Sequence, residues 1–197
     1  MVVFTTVLID LIGFGIVLPI LPLWAKTFGA SATQIGFLSA SYSLMQVLFA
    51  PLWGRLSDRV GRRPVILVTL AGSALSSLMI GLAGSLAVLF VARMLNGISG
   101  ASYAAAQAYV ADVTTREERA RGMGMIGAAF GLGFILGPGI GAGLSVLGHA
   151  VPFYFAAGLA AVNLVLAYIR LPESRVLGAA VATPTPRLQQ LRRALSI

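Results

Sequence analysis

Six long apolar stretches, each separated from the next by a short polar or glycine-containing connection, make up most of this chain. They run approximately from Val2 to Trp24, Ile35 to Trp53, Pro64 to Ala83, Leu86 to Val110, Gly122 to Leu147 and Val151 to Ile169. A hydrocarbon core about 30 Å thick is crossed by roughly 20 residues of α-helix, so each stretch is long enough to span a bilayer. Pro19, Pro22, Pro51 and Pro138 inside them are compatible with helix, because neighbouring helices satisfy the backbone groups that a proline frees. The expected fold is therefore an all-α membrane protein, a bundle of six transmembrane helices occupying residues 1–174. Residues 175–197 change in composition to a Thr-Pro-Thr-Pro linker and a basic end, RLQQLRRALSI, expected to be either an amphipathic helix on the cytoplasmic leaflet or an unstructured tail.

Composition agrees with this reading. The chain is 58% hydrophobic and 10% charged, too apolar to cover the surface of a soluble domain of this length. Its net charge of +8 is explained by placement and calls for no nucleic acid. Arginines fill the second and fourth connections (Arg55, Arg59, Arg62, Arg63; Arg116, Arg119, Arg121) and follow the sixth span, whereas the opposite side carries only Lys26 and His149. Positive loops stay in the cytoplasm, which places both termini there. The first stretch lacks a basic leader and carries Asp10, so it reads as a retained helix and not as a signal peptide. With no cysteine, disulfides and thiolate metal sites are excluded.

Two charges lie inside apolar spans, Asp10 and Arg93, each roughly 12 Å from a span end at helical rise. A charge at mid-membrane costs about 2.5–3.5 kcal/mol unless it faces a cavity or a partner, and such groups mark pathways or proton relays. Arg93, Asn96, Gly100, Tyr103 and Gln107 follow one another at steps of three or four, as do Ser39, Tyr42 and Gln46; together with Asp10 these stripes are expected to line one aqueous cavity. The fifth span carries Gly127 and Gly131, then Gly133, Gly137 and Gly141, two sets spaced to form grooves that admit another backbone. Between spans two and three lies GRLSDRVGRR, Gly54 to Arg63, read as a charged hairpin. In it Gly54 allows close approach where span two ends, Pro64 starts span three, and Asp58 takes an arginine or a helix N-terminus as partner. No nucleophile, metal cluster or phosphate-binding loop is visible, so neither an enzyme nor a cofactor is expected.

Taken together these residues resemble the N-terminal half of a major facilitator superfamily transporter, most closely the drug/proton antiporters that include tetracycline efflux proteins. Gly54, Asp58, Arg59, Gly61, Arg62 and Arg63 fit the loop signature G-x-x-x-D-R-x-G-R-R at every position, and Arg93 and Gly97 fit the fourth-helix R-x-x-x-G pattern. Gly133, Gly137, Pro138 and Gly141 fit G-x-x-x-G-P-x-x-G, associated in that family with antiporters. LIDLIGFGIVLPILP around Asp10 and LPES at Leu171 to Ser174 resemble the first-helix pattern and the end of the sixth helix. The resemblance implies proton-coupled efflux of a small molecule across a bacterial inner membrane, with Asp10 and Arg93 coupling proton and substrate and the loop signature acting in conformational switching. It implies a partner too, a second six-helix half or a second copy. The alternatives are uptake of a sugar or organic acid by the same fold, and a non-transporting membrane fragment.

Overall fold

The computed structural model describes residues 2–100, 102–115 and 117–174, with the backbone alone at Ser102 and Tyr103. The basic linker 175–197 and Arg116 lie outside the described residues, as does the side chain of Tyr103. Seven α-helices and no strand occur among the described residues: α1 Val2–Thr27, α2 Ala32–Val60, α3 Arg62–Gly81, α4 Leu86–Ser99, α5 Ser102–Val113, α6 Arg119–Ser145 and α7 Val151–Arg170. They make six segments long and apolar enough to cross a membrane, α4 and α5 together forming the fourth.

The helix starts follow local chemistry. Ser31 caps α2 by accepting from the Gln34 backbone N–H (3.3 Å), while Gln34 Oε1 accepts from the Ser31 N–H (2.8 Å). This reciprocal box satisfies donors that a helix N-terminus leaves open and contributes about 1 kcal/mol. Ser85 caps α4 by accepting from Val88 N–H at 3.4 Å. The preceding carbonyls at the end of α3 are also taken up: Trp24 Nε1 donates to Ile80 O (3.0 Å) and the Tyr154 hydroxyl to Gly81 O (3.0 Å).

Two sequence expectations are corrected here. The second span does not end at Trp53: α2 continues through Val60, and the turn is confined to Gly61, whose φ of 104° suits glycine. Gly54 therefore lies within a helix, and a Cβ there would meet open space, so it serves no close approach among the described residues. In the fourth span, Leu86–Val113, α4 ends at Ser99 with Gly100 in a turn and α5 starts at Ser102. Gly97 and Gly100 press against α2, where added Cβ atoms would overlap the Tyr42 carbonyl and come within 2.7 Å of its hydroxyl. Carbonyls released at the end of α4 are recovered by α2, Trp53 Nε1 donating to Ile98 O (2.6 Å) and Gln46 Nε2 to Gly100 O (3.2 Å). Irregular backbone inside a membrane is stable where protein groups supply the missing partners.

α1 is the centre of the bundle, packed between α6 and α7, while α3 lies on α7 and α4, and α2 on α4. Ile16, Val17, Ile20 and Leu21 of α1 form the core with Leu38, Leu89, Ala92 and Phe153. The outward faces of α2 and α6 stay apolar and uncovered, with Val47 71% and Ile135 73% exposed, a surface suited to lipid or to another helical body.

Candidate functional site

A cavity of about 280 Å³ opens among α1, α2, α3, α4, α6 and α7. Asp10, half-buried on α1, forms part of its wall beside Phe14; α2 contributes Tyr42 and Gln46, one helical turn apart, and α4 contributes Asn96. With Gly100, five residues expected from the sequence thus meet in one space, whereas Ser39 is exposed on α2 and is not among its described lining. Gln107 is half-buried on α5 and is not among the cavity's described lining; Tyr103 falls on an undescribed side chain. Sequence reasoning missed Ser73 and Ser77 on α3 and the rings of Phe14 and Phe130, which complete the wall. Isolated serines and phenylalanines in an apolar span carry no sequence signal that separates lining from ordinary packing.

Arg93 does not face the cavity directly. It is 2% exposed, with its guanidinium 4.4 Å from the centre of the Tyr42 ring and 5.7 Å from that of Phe14. Both rings also line the cavity, and the cation is at distances where the ring quadrupole attracts it. Nη1 donates to Asn96 Oδ1 (3.3 Å), and Asn96 Nδ2 in turn donates to the Ser76 hydroxyl (2.8 Å). Its Nε is buried without a hydrogen-bond acceptor. A movement of Tyr42 or Phe14 would change what the cation meets, and Asn96 links it by a direct hydrogen bond to the cavity wall.

Beneath the cavity, at the charged end of the bundle, the loop signature is an ordered network. Arg62 pairs through Nη2 with Asp58 (2.8 Å) and through Nε with Asp112 at the end of α5 (3.0 Å), and Nη1 donates to the Ser57 hydroxyl (2.6 Å). Its side chain is 12% exposed, while those of Asp58 and Asp112 are 52% and 33% exposed, so solvent screens both pairs and each contributes about 0–1 kcal/mol. Glu173, in the LPES segment after α7, accepts from the backbone N–H groups of Arg62 (2.8 Å) and Arg63 (3.2 Å), capping α3 from 110 residues away in sequence. A Cβ at Gly61 would collide with that carboxylate. Arg63 donates to Tyr168 O (2.7 Å) and lies 5.3 Å over the Tyr168 ring. One short turn therefore ties α2, α3, α5 and α7 together. Asp112 and Glu173 were not identified as its partners from the sequence.

The glycines of α6 divide sharply. Cβ atoms at Gly133, Gly137 and Gly141 would meet α1 at 2.7 Å (Leu11), 2.5 Å (Gly15) and 2.6 Å (Ile20), whereas Gly127 and Gly131 face open space. The first set seats the α1 backbone immediately after Asp10. Pro138, next to Gly137, lies inside α6, which continues to Ser145. The seam thereby fixes how Asp10 is presented to the cavity.

Comparison with known proteins agrees with this architecture. The chain is 37% identical over 192 residues to the tetracycline resistance protein, class H, of Pasteurella multocida, covering 96% of this chain and 48% of that protein. It is 34% identical over 174 residues to multidrug resistance protein 2 of Bacillus subtilis (strain 168), covering 88% and 44%. Among solved structures, the human organic anion transporter MFSD10 superposes with a TM-score of 0.81 at 33% identity, covering 89% of this chain and 47% of that one. The chain spans about half the length of the relatives it matches. Their fold is that of membrane transporters and not of enzymes. With the family model described as Major Facilitator Superfamily matching residues 3–195, and with this six-span architecture, the chain belongs to that superfamily.

Proposed function

We propose that this chain is the N-terminal half of a proton-coupled efflux transporter that exports a small molecule from a bacterial cytoplasm, both of its ends lying on the cytoplasmic side. The observation that carries the reading is Asp10 in the wall of the 280 Å³ cavity, among Phe14, Tyr42 and Phe130 and the amides of Gln46 and Asn96. Aromatic faces with a few polar groups suit an amphipathic solute, and a titratable carboxyl in their midst supplies a proton carrier. Arg93 is joined to the cavity wall through Asn96, which places a fixed cation beside the proposed carrier site. One proton moving inward across 100 mV supplies about 2.3 kcal/mol. The resemblance of the α6 glycine-proline pattern to antiporters, and the tetracycline and multidrug resistance relatives, favour export over uptake.

Alternating access rocks one six-helix half against another around a midplane site, so transport requires a second body on the exposed faces of α2 and α6. A C-terminal half is the proposed partner, with a second copy of this chain as the other possibility. The expected result in liposomes under an imposed pH gradient is no substrate flux from this polypeptide alone, and flux once a matching second half is supplied. Flux from the lone chain above empty vesicles would overturn the half-transporter reading.

Orientation is checked separately, since the chain has no cysteine. Gly84 is exposed between α3 and α4, and Glu117 is exposed before α6. Gly84→Cys should react with an impermeant thiol reagent added outside intact cells, and Glu117→Cys only after the cytoplasmic face is opened. Reaction of Glu117→Cys from outside would reverse the topology.

A further inference from the structure

Besides the central cavity, two smaller spaces border the cytoplasmic-half residues of α1 on either side of Thr6. A crevice of about 130 Å³ lies between the first turns of α1 and the last turns of α7, lined by Val2, Thr5, Thr6, Asn163, Leu166 and Arg170. Above it is a void of about 10 Å³, bounded by Thr6 and Asp10 and closed by Val7, Leu11, Ile66 and Leu70. Thr6 borders both of these spaces, and Asp10 borders both the void and the central cavity. We infer that Asp10 has its own water route to the cytoplasmic surface, a path beside the central cavity that passes Thr6 and leaves between α1 and α7. The inference rests on the reading of Asp10 as the proton carrier.

Three features argue for water in this crevice. Its wall, apolar over most of its surface, also carries Thr5, Thr6, Asn163 and Arg170, and a polar side chain as deep as Asn163 is costly in a membrane unless it has a partner. Asn163 is 0% exposed; its Nδ2 donates to Thr6 O (2.8 Å), which fixes the amide orientation, and its Oδ1 is left without a partner in the protein. An unpaired buried acceptor costs about 1–3 kcal/mol, and a water in the crevice that Asn163 lines removes that cost. Finally, a void of about 10 Å³ is near the smallest that holds one water, provided polar groups border it, and here a carboxyl and a hydroxyl do so.

Register along the helices supports the route. Thr6 and Asp10 are one turn apart on α1, and Asn163, Leu166 and Arg170 share one face of α7 over two turns, roughly 10 Å. A threonine hydroxyl both accepts and donates. A proton released by the Asp10 carboxyl passes to the water in the void, then through the Thr6 hydroxyl to the crevice waters, each oxygen losing one proton as it gains another. Arg170 is exposed at the mouth, where bulk water screens its charge and the guanidinium keeps the opening hydrated. A substrate seated in the central cavity would not block such an exit.

The test uses the chain in lipid vesicles. Thr6→Cys should be modified from the cytoplasmic side by methanethiosulfonate ethylammonium at least tenfold faster than Leu21→Cys in the core, and Leu166→Trp, which fills the crevice, should slow it at least tenfold. Infrared spectroscopy after transfer to heavy water reads the Asp10 carboxyl directly, as the exchangeable carboxyl band absent from Asp10→Asn. Its exchange should slow at least tenfold in Leu166→Trp and in Thr6→Val, and stay at the wild-type rate in Thr6→Ser. A band that exchanges equally fast in all three variants, or a Thr6→Cys thiol as inert as the core one, overturns the route and leaves Asp10 as carrier, supplied through the central cavity. Absence of any Asp10 carboxyl band removes the carrier and the route together.

Discussion

Asp10→Asn is expected to abolish pH-driven substrate flux, to the level of vesicles without protein, while leaving insertion, folding and substrate binding in place. The amide occupies the volume of the carboxyl in the cavity wall and keeps hydrogen-bonding capacity, but it neither takes up nor releases a proton at any accessible pH. Proton movement then no longer drives the solute, whereas solute exchange down its own gradient needs no titrating group at this position. The measurement compares two assays on one preparation of the transporter containing this chain: flux driven by an imposed pH gradient, and counterflow of labelled against unlabelled substrate at equal pH. Loss of the first with retention of the second is the expected pattern. Undiminished pH-driven flux would leave Asp10 with only a packing role, and loss of both would point to substrate binding and not to proton handling.

The contribution of the loop signature follows from what Arg62 holds. Asp58 and Asp112 sit on different helices, α2 and α5, and Arg62 pairs with both while Glu173 grips the same residue through its backbone. Changing the tilt of α2 relative to α5 must break or lengthen one of these pairs. The network is therefore placed to favour one arrangement of the four helices it joins, at the end of the bundle opposite the turn between α3 and α4. The switching role that the resemblance implies for the signature would act here, apart from the cavity.

Much of this was legible in the sequence, and the reasons for the remainder are specific. Six spans could be read because roughly 20 apolar residues in a row admit few alternatives, and Asp10, Tyr42, Gln46 and Asn96 could be brought together because helical spacing puts them on common faces. The end of α2 could not be read, since Arg55, Ser57 and Asp58 end the apolar run without ending the helix; apolarity reports the bilayer boundary, and the helix stops only where Gly61 takes up a positive φ. Nor could the hydrogen bonds that Trp53 and Gln46 donate to the Ile98 and Gly100 carbonyls from another helix. Glu173 was visible as part of LPES, yet its two acceptor bonds lie 110 residues away, beyond any local signal. The position of Arg93 against two rings, and not in the cavity, is likewise a property of packing that spacing does not reveal.

The α6 glycines show the same limit and carry the second large expected effect. From spacing, Gly127 and Gly131 look as suited to a groove as Gly133, Gly137 and Gly141, but only the latter set touches α1. At Gly137 an added Cβ would stand 2.5 Å from Gly15 C and 2.8 Å from Ile16 N; these are backbone atoms of the central helix, which cannot rotate away as a side-chain end does. Gly137→Ala should therefore destabilise the chain by roughly 3 kcal/mol, at the upper end of the usual overpacking range, and Gly137→Leu should prevent α1 from seating on α6 at all. Gly131→Ala, facing open space, should shift stability by no more than about 0.5 kcal/mol and gains from the better helix propensity of alanine. Unfolding of the purified chain in mixed micelles, followed through the fluorescence of Trp24 and Trp53, compares these variants directly. Equal stability of Gly137→Ala and Gly131→Ala would show that α1 does not rest on the seam and that the placement of Asp10 in the cavity wall has another origin. The expected large difference would tie the α6 motif to Asp10 mechanically, because the α1 backbone that the glycines seat, from Leu11 to Ile16, begins one residue beyond that carboxyl.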